Sequence, residues 1–172
     1  MSERFSDPET IKAILLIVRS LLRRRIFSPR PENIVIGRFD EPPIYPCGRY
    51  VPEGLDLSQL EWAAREGRFW FSGPIRVIKI ILDRGSMQGD LELGAERMEF
   101  ITSLCTLNYR DFEGVIDRLR QVAKQLELEL GFEPIGSHNI KLVVESYVPL
   151  SVKTVNNFID KLHVLHQSTD ET

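Results

Sequence analysis

The chain has 172 residues, of which 42% are hydrophobic and 27% charged, and its formal net charge is −3. This composition is typical of an ordinary globular protein and argues against wholesale disorder. The slightly acidic balance argues against a protein that coats nucleic acid. The length predicts a single domain, residues 1–172, that buries a core without disulfides or a structural metal.

The first predicted element is an N-terminal helix over residues 1–26. Asp7 is a suitable N-cap and Pro8 a suitable first residue, and apolar residues then recur at helical spacing along one face. Leu16 and Ile17 lie outside the centre of that apolar stripe. The helix is therefore more apolar than a surface helix requires, which predicts a second contact, either within the chain or with another subunit.

Arg23, Arg24 and Arg25 end this helix, where cations complement the helix dipole. They point in different directions around a helix, so they do not form one flat phosphate-binding track. We interpret the cluster in two ways. Pairing with the protein's own carboxylates is favoured, and docking of an acidic protein partner or of nucleic acid is the alternative. The three arginines are candidate partner-binding residues.

Residues 27–56 form a proline-rich connector with one short apolar run, Ile34–Ile36, that suits an edge strand. Pro42, Pro43 and Tyr45 match the Pro-Pro-x-Tyr pattern of WW-domain ligands and are candidate partner-binding residues. A stiff tether between two packed elements is the favoured interpretation. Cys47 lies in the same segment near Arg49, where a nearby cation favours the thiolate, so a catalytic thiol is an alternative.

Residues 57–166 predict a core of strands and helices, followed by a frayed tail at 167–172. Residues 75–82 are apolar on both faces and predict a central strand covered by helices. The pattern predicts a short helix at 57–66, a hairpin turn at 83–90 and a strand at 97–109 antiparallel to the strand before it. It then predicts an amphipathic helix from 111 that Gly131 can end, with the alternating residues 126–130 as an alternative extended segment. A strand at 138–148 and a last helix from 151 follow. The predicted fold class is α+β, with an antiparallel or mixed sheet covered by amphipathic helices.

Few residues suggest catalysis. His163 and His166 lie near Asp160 on the last predicted helix, where three-residue spacing permits a metal cluster, but solvated surface histidines are favoured. Cys105 alternates with apolar residues and is interpreted as a small core residue. The two cysteines form neither a disulfide framework nor a zinc pattern, so we expect no metal and no cofactor.

The aromatic trio around Trp70, Phe69-Trp70-Phe71, adds to the apolar surplus of the first helix. In a strand, Trp70 would point to one face of the sheet and Phe69 and Phe71 to the other, so all three are buried only if both faces are packed against other elements. Together these features predict more apolar surface than one small domain hides, and hence a homodimer or a protein partner. The longest apolar run is too short to cross a bilayer and the N-terminus lacks the order of a signal peptide, which predicts a cytoplasmic protein.

The predicted order of paired strands, amphipathic helix, strand and final helix resembles small α+β chaperone-like binding domains. That resemblance implies a non-catalytic adaptor or binding module that self-associates, which is the leading hypothesis. A Pro-Pro-x-Tyr element ahead of a sheet-and-helix domain resembles viral matrix proteins and implies a structural protein that docks a WW domain. A small cytosolic enzyme that uses Cys47 is the third hypothesis.

Overall fold

The computed structural model describes residues 8–30, 33–37, 53–54, 58 and 77–170. In this part of the chain the helices are α1 (Pro8–Arg23), α2 (Phe112–Gln125) and α3 (Val152–Gln167). The strands are β1 (Ile34–Gly37), β2 (Glu53–Gly54), β3 (Val77–Leu82), β4 (Gly89–Leu93), β5 (Met98–Cys105), β6 (Glu129–Ile135) and β7 (Asn139–Ser146). A short 3-10 turn, Thr106–Asn108, follows β5.

The described strands form one sheet in the order β2-β1-β3-β4-β5-β7-β6, and every neighbouring pair is antiparallel. Together with the three helices, this confirms the α+β class and the antiparallel form of the sheet. β1 matches the predicted edge strand in position but lies between β2 and β3. None of the described helices has the length and apolar character needed to cross a membrane.

One face of the sheet is buried. A cross-strand row of Ile80, Leu91, Phe100 and Val144 joins β3, β4, β5 and β7, and each of these side chains is almost fully removed from water. The same core receives side chains from all three helices, including Ile14, Ile17, Val18, Leu21, Val115, Leu119, Ala123, Val155, Phe158, Ile159, Leu162 and Leu165. Helix periodicity and strand alternation thus supply one continuous apolar interior.

The other face of the sheet is charged. Lys79, Glu92, Glu99, Glu145 and Glu129 are successive cross-strand partners on β3, β4, β5, β7 and β6. All but Glu129 are partly buried, and Glu129 is exposed. β3 was expected to be dry on both faces, but Lys79 and Ile81 on this side are only half-buried.

α1 and α3 lie side by side and run parallel. The Asn156 amide donates to the Ser20 hydroxyl at 2.8 Å, and Arg24 binds Asp160 at 2.6 Å. Both contacts join residues 136 positions apart, so each helix advances one turn between them in the same direction. The first and last helices of the described chain are therefore direct neighbours.

β4 is absent from the sequence-based interpretation. Its Leu91 and Leu93 face the core and its Asp90 and Glu92 face the charged side, which is the period of a half-buried strand. Because β4 lies between β3 and β5, the predicted direct pairing of the strand at 97–109 with β3 is wrong. That strand also ends at Cys105, where the 3-10 turn begins.

α2 ends earlier than Gly131, which lies inside β6. Glu127 adopts a left-handed backbone with φ of 58°, and the Leu128 N–H donates to the Ala123 carbonyl at 2.8 Å. This is a Schellman motif, with buried Leu128 as its apolar anchor. A non-glycine residue thus occupies the position where glycine was expected.

At the C-terminus, α3 begins with a capping box in which the Ser151 hydroxyl accepts from the Thr154 N–H at 3.0 Å. The helix continues to Gln167, and Thr169 is 7% exposed, so packed structure extends beyond the predicted boundary at residue 166. The predicted helix at 57–66 lies outside the described residues except for Ser58.

Candidate functional site

A cleft of about 280 Å³ opens at one end of the core, between the buried face of the sheet and the helices α2 and α3. Its floor is apolar and consists of Met87, Phe100, Leu104, Leu119, Leu142, Val144, Leu162 and Leu165. Its polar lining consists of Ser86, Gln88, Thr102, Ser103, Asn108, Tyr109, His166 and Thr169. Concave sites with an apolar floor and a few hydrogen-bonding groups are typical of small-molecule binding sites.

The floor is built from side chains that the fold already fixes. Phe100 and Leu142 lie on the central strands β5 and β7, Leu119 lies on the inner face of α2, and Leu162 lies on that of α3. All four are 5% exposed or less. The cleft exists because the core side chains at this end do not fill the space between sheet and helices.

Two hydrogen bonds shape the polar lining. The Thr102 hydroxyl donates to the Gln88 carbonyl at 2.7 Å and thereby holds the β3–β4 loop against β5. The Thr169 hydroxyl donates to the His166 carbonyl at 2.7 Å and closes the end of α3. Near this point the Arg118 Nε donates to the Ser168 carbonyl at 3.1 Å. The lining is therefore held by contacts between several elements.

The described lining of the cleft includes one thiol and one imidazole. Cys105 and His166 both contribute to the lining, and Cys105 is half-buried rather than a core residue. By strand alternation, however, the Cys105 side chain belongs to the face opposite that of Phe100. By this alternation the thiol points away from the apolar floor of the cleft.

The three histidines occupy separate positions. His138 lies in the turn between β6 and β7, and its carbonyl accepts from the Thr106 N–H at 2.7 Å. Partial burial, and then the neighbouring Arg24 cation, lower the pKa of His163 despite the opposing effect of Asp160. Within the described ranges, no group of three or more His, Cys, Asp or Glu is arranged to hold a metal ion.

The predicted arginine cluster is split by the structure. Arg24 pairs with Asp160 at 2.6 Å and also donates to the Asn156 side chain at 3.3 Å, so it is satisfied by the protein's own groups. Arg23 and Arg25 are exposed, and Arg25 has a left-handed backbone with φ of 57° at the end of α1. The other candidate residues, Pro42, Pro43, Tyr45, Cys47 and Trp70, lie outside the described residues.

A second surface of interest is formed by the outer sides of α1 and α3, here called the α1–α3 face. It carries three exposed apolar side chains, Leu16 at 56%, Val152 at 37% and Val164 at 47%. Leu16 lies one turn before Ser20, and Val152 one turn before its partner Asn156. The parallel helices therefore place Leu16 and Val152 at the same level.

Charged groups on the opposite face of the sheet are paired. Arg97 binds Glu99 at 2.8 Å and Glu145 at 3.2 Å, and the Tyr147 hydroxyl donates to Glu145 at 2.6 Å. Partial burial, and then the neighbouring carboxylates, raise the pKa of Glu99 against the opposing effect of Arg97. Arg97 thus ties together carboxylates that would otherwise repel one another.

Asp83, at the end of β3, fixes the segment that leaves α1. Its carboxylate accepts from the Ser28 N–H at 2.6 Å, from Arg30 at 3.1 Å and from Asn33 at 3.1 Å. Loss of hydration acts to raise the pKa of Asp83, but these hydrogen bonds outweigh it and lower the pKa to about 2. The site connects the end of α1 to the sheet.

Comparisons of the chain with models of protein families, with curated proteins and with solved structures found no match.

Proposed function

We propose that the protein is a non-catalytic α+β interaction module, an adaptor or chaperone-like binding domain, that self-associates through the α1–α3 face. The observation that carries this proposal is the alignment of Leu16 and Val152 on two adjoining parallel helices, with Val164 further along α3. In the proposal the three amphipathic helices cover the buried sheet face and the proline-rich segment 27–56 serves as a connector.

Exposed apolar side chains of this size favour association. Burial of a large aliphatic side chain that water would otherwise contact contributes about 1.5–3 kcal/mol, before the entropic cost of association. Leu16 stands out because its neighbours Ile14, Leu15, Ile17 and Val18 are all buried in the core. A single exposed leucine is common on protein surfaces, so the proposal rests on Leu16 together with Val152 on the adjoining helix.

The polar groups of the same face suit a two-fold contact. Exposed Arg23 lies on α1 and Asp160, 63% exposed in its side chain, lies on α3. In a two-fold contact the same surface of both protomers meets, so α1 of one protomer can face α1 or α3 of its partner. A surface that carries both signs of charge can then complement its own copy. Asp160 also pairs with Arg24 of its own chain at 2.6 Å, so it would act in such a contact together with Arg24.

The test is sedimentation equilibrium of the wild-type chain and of Leu16→Glu. We expect a dimer for the wild type and a dissociation constant raised at least about tenfold for Leu16→Glu, because a carboxylate would be buried in the contact. Leu107→Glu is the matched control, since Leu107 is 70% exposed on the turn after β5 and lies outside the α1–α3 face.

Both substitutions change exposed positions, so thermal unfolding should be cooperative in all three proteins. A wild-type chain that remains monomeric at high concentration would refute self-association. If Leu16→Glu and Leu107→Glu raise the dissociation constant of the dimer equally, the subunit contact does not lie on the α1–α3 face. The hypotheses of a WW-domain ligand at Pro42–Tyr45 and of an enzyme that uses Cys47 concern residues outside those described, and no described contact favours them.

A further inference from the structure

We propose that the cleft binds a free, uncharged, amphipathic small molecule with a two-ring aromatic body and one hydroxyl group. The site is separate from the α1–α3 face, and the proposal stands whether or not the chain self-associates. Four features of the cleft carry it: its size, the absence of charge in its described lining, the division between apolar floor and polar rim, and the rigidity of the floor.

Size limits the ligand to a small molecule. A dry apolar cavity of about 150 Å³ accommodates benzene, and drug-sized ligands occupy pockets of about 300–1,000 Å³. The cleft measures about 280 Å³, which lies between these cases. A fused two-ring body fits this space, whereas a nucleotide or an extended peptide exceeds it.

Charge excludes ionic ligands. None of the described residues that line the cleft is Lys, Arg, Asp or Glu. A buried carboxylate, phosphate or ammonium group requires a charged or multiply hydrogen-bonded partner, because its loss of hydration is otherwise not offset. The His166 imidazole at the rim offers hydrogen-bonding nitrogens to a ligand. The buried part of the ligand is therefore neutral.

The distribution of polar groups fixes the orientation of the ligand. Phe100, Leu119 and Leu162 form an apolar floor on which a ring can stack or pack. Thr102, Asn108 and His166 contribute donors and acceptors to the same lining. A ligand with an apolar body and one hydroxyl satisfies both parts, because the hydroxyl both donates and accepts.

The floor is preorganised. Apart from Met87 in the β3–β4 loop, its side chains belong to β5, β7, α2 and α3, and they are held by the core whether or not a ligand is present. Binding therefore requires little additional ordering of the protein, which favours affinity for a small ligand. The Thr102–Gln88 contact at 2.7 Å also holds the β3–β4 loop in place at the cleft.

The test uses 2-naphthol, which is neutral at physiological pH, and 2-naphthoate, which has the same rings and a carboxylate. We expect saturable binding of 2-naphthol in calorimetry with a dissociation constant below about 1 mM, and binding of 2-naphthoate at least about tenfold weaker. Methyl-labelled NMR spectra should show 2-naphthol shifts concentrated at Leu119, Leu142, Val144, Leu162 and Leu165.

A floor variant tests the location. Leu142→Phe adds volume to the floor and should weaken 2-naphthol binding at least about tenfold. Leu130→Phe is the matched control, because Leu130 is a partly buried core neighbour on β6 that does not line the cleft. If Leu142→Phe fails to fold, the wild-type contrast between 2-naphthol and 2-naphthoate and the map of shifted methyls decide the question.

N-acetyltryptophanamide tests the alternative that the cleft binds a partner protein. It stands for a tryptophan side chain of such a partner, which also has a two-ring aromatic body. Tighter binding of this amide than of 2-naphthol would overturn the assignment to a free small molecule. The proposal would also be overturned by equal binding of the neutral and charged probes, by shifts outside the cleft, or by no saturable 2-naphthol binding.

Discussion

The Arg24 guanidinium lies 2.6 Å from the Asp160 carboxylate and joins the end of α1 to the middle of α3 across 136 residues. Arg24 is 27% exposed in its side chain and Asp160 63%, so solvent screens this pair. A second bond from Arg24 to the Asn156 side chain at 3.3 Å adds to the contact. The pair fixes the relative position of the two helices more than it contributes to stability.

The first prediction concerns this pair. Arg24→Ala should lower the free energy of unfolding by about 0.5–1 kcal/mol, because it removes an exposed ion pair and a hydrogen bond. Arg23→Ala is the control. It removes a cation from the same end of α1, so it has the same effect on the helix dipole, but no ion pair of Arg23 is described. Urea unfolding of the three proteins measures the difference, and equal losses in both variants would show that the pair contributes nothing of its own.

The second prediction concerns pH. The pKa of Asp83 is lowered in the folded protein from its ordinary value of 3.8 to about 2, so the unfolded chain binds the proton more readily. The stability that depends on the Asp83 carboxylate is therefore fully present above the ordinary pKa and is lost as the pH falls toward the folded value.

Urea unfolding of the wild type and Asp83→Asn over a range of pH tests this dependence. The difference in stability should be constant near neutral pH and should shrink between about pH 4 and pH 2, the interval between the two pKa values. Asp117→Asn, at an exposed position on α2, is the control. A difference between wild type and Asp83→Asn that does not vary with pH would contradict the prediction.

The third prediction uses the left-handed residue after α2. Glu127 has φ of 58° at the position that glycine prefers in a Schellman motif, so Glu127→Gly should raise the free energy of unfolding by about 1 kcal/mol. Lys124→Gly, within the same helix, should instead lower it by about 1 kcal/mol because glycine disfavours a helix interior. Thermal unfolding distinguishes the two, and changes of the same sign would refute the role assigned to Glu127.

The fourth prediction concerns close packing at Gly89. A Cβ at this position would lie 2.9 Å from the Phe100 ring and would also meet the Ile101 carbonyl. Gly89→Ala should therefore lower the free energy of unfolding by about 1–3 kcal/mol, because backbone and a buried ring must both move. At Gly131 the nearest atom to a new Cβ is 3.8 Å away, so Gly131→Ala should be tolerated. Comparable losses in the two variants would argue against a steric cause.

Some elements could be predicted from the sequence because their signals are local. α2 has apolar residues at helical spacing and an Asp111 cap whose side chain accepts from the Gly114 N–H, and α3 has its Ser151 cap. β7 follows a turn and alternates in burial. In these segments propensity, capping and the apolar pattern agree, so the local interpretation is sufficient.

Other features required tertiary information. The predicted turn includes Gly89 and Asp90, the first two residues of β4, and no element is predicted at Leu91 and Leu93, although these two residues carry the alternation of a strand. The cleft depends on β5, α2, β7 and α3 meeting at one end of the core, which no local pattern specifies. One feature of the sequence does point to the cleft. Thr102 is a polar residue among the apolar residues on the inward side of β5, and a polar side chain on that side needs a hydrogen-bond partner.

The parallel contact between α1 and α3 has a consequence for synthesis of the chain on the ribosome. Among the described elements, α1 leaves the exit tunnel before the strands, and its helical neighbour α3 follows all of them. Until α3 emerges, the inward side chains of α1, such as Val18 and Leu21, lack the part of the core that α3 contributes. A nascent chain that extends only to β7 therefore exposes apolar surface of α1 to chaperones and proteases, and α1 completes its packing only after α3 has emerged.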